Sequence, residues 1–365
     1  MQFQHMIQQH SIKRPARASL RFLQLKKWLA EKEGIALVHW ALKSPRRASF
    51  YYWFFSKRFD REHYSVLYGK YLNMTGDINS MANDALLRRS LHRIEKGLTA
   101  IPRKPVWAET YILDTLSALR RILQEKYSNT THRWAFDVLT RFFENTWSTE
   151  IINQGRLIFT DLVKQYPLAP NGSTPYSPYK RADIKPSGVA YTAFMKLCRQ
   201  RHSIRWYDNK EVPLDLIRQA IEAGLAAPSA CNRQPFRFII IQDKKTLARV
   251  VRMPIGCDTF AGNIKLMVAM IGDLSAYFDE RDRHLIYLDG GLAAMNFMLA
   301  LETLGLSSCP VNWPDIEMRE QIISGEFNLK TNERGILFFS IGYPLMEGGV
   351  PFSARKSVEQ VIQIR

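Results

Sequence analysis

The sequence predicts a chain of two characters: a helical, strongly basic N-terminal half, and a C-terminal half in which helix and strand patterns alternate between polar clusters. Three observations predict it. First, Ser19–Ser44, Asn83–Leu98, Trp107–Tyr127 and Trp134–Trp147 each repeat apolar residues at helical spacing. Second, PLAPNGSTPYSPYKRADIKPSG (Pro167–Gly188) is rich in Pro, Ser and Gly without periodicity, and reads as a linker or a chain draped over a surface. Third, beyond it VPLDLIRQAIEAGLAA opens on Pro213, carries Leu216, Ile217, Ala220, Ile221 and Leu225 at helical spacing and stops before Pro228, and the β-branched FRFIII that follows reads as a buried strand. These divide the chain into a helical domain (1–166), a linker (167–189) and a C-terminal domain (190–365).

Composition bounds the function. With 365 residues, 46% of them apolar and 12% aromatic, the chain can bury one large core or two ordinary ones. Its net charge of +17 is lopsided: residues 1–189 hold 30 Lys and Arg against 15 Asp and Glu, whereas 190–365 hold 21 against 19. Such a one-sided field suits nucleic acid, anionic lipid or an acidic partner. No zinc finger, aromatic RNA-binding strand motif or helix-turn-helix accompanies it, so nucleic acid is the weakest of the three. Cys198, Cys231, Cys257 and Cys309 are scattered, which implies neither a zinc site nor a disulfide framework and fits a reducing cytosol. The first residues lack the pattern of a signal peptide, and no run approaches the ~20 apolar residues of a membrane span. The expected location is the cytoplasm, with the inner membrane face as a peripheral alternative.

Two stretches of the helical half bear on partners. SFYYWFFSKRF (Ser49–Phe59), flanked by Arg46, Arg47, Lys57 and Arg58, has the make-up of an interfacial membrane helix, or of an aromatic helix packed on its own domain. Arg88, Arg89, His92, Arg93, Glu95 and Lys96 form a dense charged face, with Gly97 as the expected helix stop.

The residues that suit a ligand lie in RHSIRWYD (Arg201–Asp208) and APSACNRQPFRF (Ala227–Phe238). Arg201 and Arg205 bring fork-shaped charges that match phosphate or a carbonyl edge; Ser203, Asn232 and Gln234 bring hydroxyl and amide bonds. Phosphate, sugar and heterocycle together satisfy that set, and the intervening helix is expected to bring both clusters to one pocket. No Gly-rich dinucleotide motif, P-loop, Ser-His-Asp set or paired carboxylates compete with it.

Together these motifs resemble the nitroreductase family, over residues 190–365. The downstream order is similar too: an apolar strand (Lys265–Ile271), a long helix (Asp289–Leu306), the turn GLSSCPVNWP and a last strand (Gly335–Pro344). The resemblance implies an α+β fold with a sheet flanked by helices, and a homodimer holding FMN at its interface. Residue by residue it implies that Arg201, His202 and Ser203 lie toward the FMN phosphate and ribityl chain, and that Arg205 approaches the pyrimidine edge, where a guanidinium stabilises the anion of the reduced ring. Pro228 and Ser229 would line the ring, Asn232 and Gln234 would hydrogen-bond ribityl or ring atoms, and Arg355 would reach the phosphate. Where the family often has glycine, this chain has Asn312 and Trp313, expected at the substrate pocket, with packing at a dimer interface as the alternative for Trp313. RRSLHRIEKGL resembles an N-terminal extension that accompanies some nitroreductase-like domains.

The expected function is an FMN-dependent oxidoreductase that takes electrons from NADH or NADPH and passes them to a small organic acceptor, nitro- or quinone-like. The alternatives are a docking protein with a vestigial flavin fold, and a flavin enzyme acting on a cell-envelope or polysaccharide intermediate.

Overall fold

A computed structural model describes residues 34–77, 81–125, 129–168 and 175–365. By its contacts the chain divides into two units, Met1–His63 and Tyr64–Arg365. The stretch 167–189 therefore lies inside the second unit. The Ser19–Ser44 helix falls largely outside the described residues.

In the first unit α1 (Pro45–Phe54) begins at Ser44, whose hydroxyl accepts the Arg47 N–H. It buries none of its residues, and Trp53 and Phe54 are open to solvent. α2 (Asp60–Thr75) follows and belongs to the second unit from Tyr64 onward.

The second unit has two cores. α3 (Ala82–Thr99), α4 (Ile112–Gln124), α5 (Asn129–Asn145) and α6 (Glu150–Gln165) enclose Leu87, Leu91, Ile94, Leu116, Leu119, Leu139, Phe142 and Leu162. Each contributes residues three and four apart, the stripe that the helical spacing had marked. α3 runs two residues past Gly97 to Thr99, contrary to the expected stop. Gly97 serves packing: a Cβ there would lie 2.2 Å from the Trp107 indole. After α6, residues 179–194 run fully exposed, with Tyr176 N–H bonded to Asp137 of α5 at 2.7 Å.

The other core is built on a four-stranded antiparallel sheet of order β1-β2-β4-β3, where β1 is Phe236–Ile241, β2 Leu266–Asp273, β3 Ser307–Asn312 and β4 Glu333–Gly342. Successive side chains of β2 alternate between two apolar layers, so the whole strand is buried. Val268 and Met270 meet α8 (Leu214–Leu225) and α10 (Leu285–Thr303) through Ile217, Ala293, Phe297 and Leu301. Met267, Ala269 and Ile271 meet α9 (Lys244–Val250) and α11 (Glu317–Phe327) through Val250 and Ile323. Helices on both faces of one antiparallel sheet make the C-terminal half α+β.

Two sequence expectations change. GLSSCPVNWP is not a turn: Gly305 (φ 73°) ends the approach, and residues from Ser307 pair with β4 as an edge strand, the one place in a sheet where Pro310 costs little. The segment Glu280–Thr303 is long and apolar enough to cross a membrane, against the expectation that no run is. Its inner face is apolar because it covers the sheet, while Leu288, Leu292 and Met295 face outward.

Helices α2 and α3 are seated on the connection after β2. Lys70 pairs with Glu280 at 2.9 Å, Asn73 Nδ2 donates to Ser275 O at 2.7 Å, and Ala85 packs with Leu274, Tyr277 and Ile286. Gly69 permits the approach, since a Cβ there would meet Leu274 backbone at 2.8 Å.

Candidate functional site

The Arg201–Asp208 segment follows α7 (Tyr191–Gln200) and is pinned to the end of the sheet where β3 begins and β4 ends. Ser203 bridges Ser308 in parallel, Ile204 N–H donates to Ser308 O at 3.1 Å, and Asp208 N–H donates to Tyr343 O at 2.9 Å. Tyr207 is the anchor. Its hydroxyl donates to Ile204 O at 2.6 Å and lies 2.8 Å from Ser340 Oγ, and Asn263 grips its backbone on both sides. Gly342 makes room for the ring, which a Cβ would approach to 2.7 Å. Burial pushes the Tyr207 phenol well up, which keeps it a neutral donor.

That anchoring groups Arg201, His202, Ser203 and Arg205, all half-buried. The Arg205 guanidinium donates to Ser203 O at 3.2 Å and stands 5.9 Å from the Phe260 ring. His202 Nδ1 lies 2.8 Å from Gln200 O. Burial raises the Cys309 thiol against the opposing pull of Arg205, Ser203 and Arg201, which places all three beside it. Burial likewise raises the Glu302 carboxyl, which accepts from Ser307 Oγ at 3.2 Å. Neither Arg201 nor Arg205 forms an ion pair among the described residues. The nearby carboxylate is Glu302, which feels the charge of Arg201 and His202 without forming an ion pair with them, so the two half-buried guanidiniums remain available to an incoming anion.

The Ala227–Pro235 loop is strained in a specific way. Cys231 (φ 53°), Asn232 (φ 56°) and Gln234 (φ 51°) all take left-handed backbone, which costs roughly 1 kcal/mol or more for each side-chain-bearing residue. The compensating bonds are local. Asp289 of α10, 2% exposed, accepts the Ala230 N–H with both oxygens at 3.0 and 3.1 Å. Ser229 Oγ accepts the Gln234 N–H at 3.1 Å, and Gln234 Nε2 donates to Asn232 Oδ1 at 2.9 Å. The loop is held open and rigid, with Pro228 exposed and Ser229, Asn232 and Gln234 half-buried.

The two clusters do not meet within one chain. Pro235 O accepts the Asp273 N–H at 2.9 Å, so the loop stands where β2 ends, whereas Ser203 stands where β2 begins. Along β2, from Leu266 to Asp273, the two ends are about 23 Å apart at the rise of an extended strand. The 12-residue α8, about 18 Å long, carries the chain from one end toward the other instead of closing a single pocket.

Trp313 and Asn312 depart from expectation as well. Trp313 is buried, stacks on Phe338 with ring centroids 4.7 Å apart, and donates Nε1–H to Glu320 Oε1 at 2.7 Å. It is a core residue because β3 carries it beneath the sheet. Asn312 ends that strand with an exposed side chain, and its carbonyl accepts the Ile255 N–H. Arg355 lies in a stretch, 349–365, that is exposed throughout, and among the described residues bonds only Ser353 O, at 3.1 Å.

Sequence reasoning missed Asp289 and Arg233. Asp289 was read as part of an apolar helix, and Arg233 fell between two motif positions; a buried charge at each was the signal available only from the fold. A cleft of about 760 Å³ between α9 and residues 209–212 and 261–266 contains none of the predicted site residues.

The nitroreductase family model matches residues 198–257 and 256–343 of this chain. A Thermus thermophilus protein named NADH dehydrogenase is 28% identical over 190 residues, covering 44% of this chain and 88% of that protein. The iodotyrosine deiodinase of Thermotoga neapolitana is 25% identical over 174 residues, 40% of this chain and 87% of that protein. Among solved structures, an FMN-dependent nitroreductase of Clostridium difficile R20291 aligns at 24% identity with a TM-score of 0.38, covering 44% of this chain and 92% of that one.

Proposed function

The C-terminal half of this chain carries a nitroreductase-family domain, and on that footing we propose that the protein is an FMN-dependent oxidoreductase whose site is assembled from two copies of the chain. The observation that carries the reading is the pair of guanidiniums, Arg201 and Arg205, fixed to the sheet end with no ion-pair partner among the described residues.

The residues fit the cofactor. Arg201 and Ser203 bind its phosphate and the adjoining hydroxyls, His202 stands at the same end, and Arg205 sets positive charge against the pyrimidine edge. Pro228, Ser229, Asn232 and Gln234 of the second copy supply an apolar shoulder and amide bonds to the other side, and Arg355 adds charge from the C-terminal stretch. FMN, when bound, would supply the redox chemistry between NADH or NADPH and a small organic acceptor. The chain's own part is to bind, orient and balance charge. A relative named NADH dehydrogenase supports the nicotinamide donor.

Assembly from two copies follows from the separation of the clusters. The exposed stripe Leu288, Leu292 and Met295 on α10, and the open C-terminal residues Phe352 and Ile364, offer apolar surface for a second copy to cover.

The test is anaerobic addition of NADH or NADPH to the purified protein. The reading expects flavin absorbance that bleaches; a protein that neither carries nor takes up FMN refutes it.

A further inference from the structure

Around the strained loop, helix α3 of the helical core brings a second set of arginines. α3 packs directly on the Ala230–Asn232 turn and is fixed there by the Ala85, Leu274, Tyr277 and Ile286 contact. Arg233, from the loop, is 3% exposed and lies 5.2 Å over the Tyr277 ring. Its Nε has no hydrogen-bond partner among the described residues, and neither has the buried Tyr277 hydroxyl. Arg89 of α3 lies 4.8 Å over Phe278, which Arg281 covers from 5.3 Å. One turn on, Arg93 lies 3.7 Å over Tyr111.

The negative charge here is gathered about Arg233 and Tyr277, where Asp282, Asp289 and Asp273 all act on the Tyr277 phenol. Asp282 approaches Arg233 at 3.8 Å and Arg281 at 3.9 Å, beyond good hydrogen-bond distance. The Asp289 carboxylate is engaged by the Ala230 N–H. Arg89 and Arg93 form no ion pair among the described residues. Burial, with Arg233 and Arg93 as neighbours, holds the Arg89 guanidinium below its ordinary range, the mark of like charges gathered away from water. Two unpartnered buried donors, Arg233 Nε and the Tyr277 hydroxyl, thus lie beside Arg89, whose other charged neighbour is Arg93, next to a loop already proposed to border the cofactor.

We propose that α3 and this loop bind the anionic group, carboxylate or phosphate, of the electron acceptor, with Arg89, Arg93 and Arg233 as its ligands and the Tyr277 hydroxyl as a further donor. The helical half is then the substrate-recognition part of the enzyme. The inference rests on the redox reading above for the identity of the acceptor, but not for the existence of the anion site.

The experiment measures binding of 4-nitrobenzoate and of uncharged nitrobenzene by calorimetry, on the full chain as purified and on Arg89→Gln/Arg93→Gln, with flavin content read from absorbance. The double variant should bind 4-nitrobenzoate at least tenfold more weakly, and leave nitrobenzene binding and flavin content unchanged. Arg93→Gln alone should give part of that loss should the double variant misfold, and Arg89→Lys/Arg93→Lys should restore most of it. Equal affinity of wild type and variants for 4-nitrobenzoate, or no binding to the wild type at millimolar concentration, overturns the anion site. A protein without flavin that still discriminates the two probes overturns the redox reading and leaves the anion site standing.

Discussion

Trp313 illustrates how one side chain changes meaning once its neighbours are known. Its indole N–H is the close hydrogen bond of Glu320, a carboxylate 1% exposed whose other neighbour, Arg334, stands at 3.6 Å. Trp313→Phe keeps the stack on Phe338 and strips that donor, so it should destabilise the fold by about 1–3 kcal/mol, the cost of a buried polar group left short of a partner. Urea unfolding reads the loss, and flavin content should stay at the wild-type level; a variant of normal stability with altered acceptor preference would return Trp313 to the pocket. The residue types at Arg201, Ser203, Arg205, Asn232 and Gln234 were legible in the sequence because fork-shaped charge and amides declare their chemistry. The burial of Trp313 was not, because it depends on β3 pairing Cys309 with Ser340, a contact between distant segments. Nor was the left-handed backbone at Cys231 and Gln234, residue types that seldom adopt it.

At the scale of elements, helical spacing marked the cores of α3, α4, α5 and α8, and misjudged mainly their ends. Gly97 is the instructive case. As a glycine near the end of a charged helix it looks like a stop, yet the helix continues and Trp107 occupies the space a side chain would take. Gly97→Ala gains up to about 1 kcal/mol of helix propensity. It also drives a methyl group into an indole packed edge-on against Phe142 at 5.0 Å, an overpacking cost of about 1–3 kcal/mol. The clash should win, lowering the thermal midpoint; a raised midpoint would mean that Trp107 moves aside freely. β1, β2 and β4 were legible as apolar runs, whereas β3, expected as a turn, and the order β1-β2-β4-β3 were not, since they follow from pairing and from which helix covers which face.

For the whole molecule, the sequence marked a helical half and a half that mixes helix and strand, but not how they join. Lys70 on Glu280, Asn73 on Ser275 and Ala85 on Leu274 tie α2 and α3 to the α+β part, so the helices belong to the architecture around the loop. The placement of the two residue clusters at opposite ends of β2 is the feature with the widest consequence, because in the function proposed above a second copy completes the site. Two inactive variants can therefore repair each other. Arg201→Ala/Arg205→Ala removes the charged end and Asn232→Ala/Gln234→Ala removes the loop's amides, and each alone should purify without FMN. Co-expressed with different tags and isolated as the mixed assembly, they leave one site with both ends intact, and the account predicts one flavin for every two chains. A mixed assembly with no flavin, or either variant alone with a full complement of it, would contradict a site built between copies.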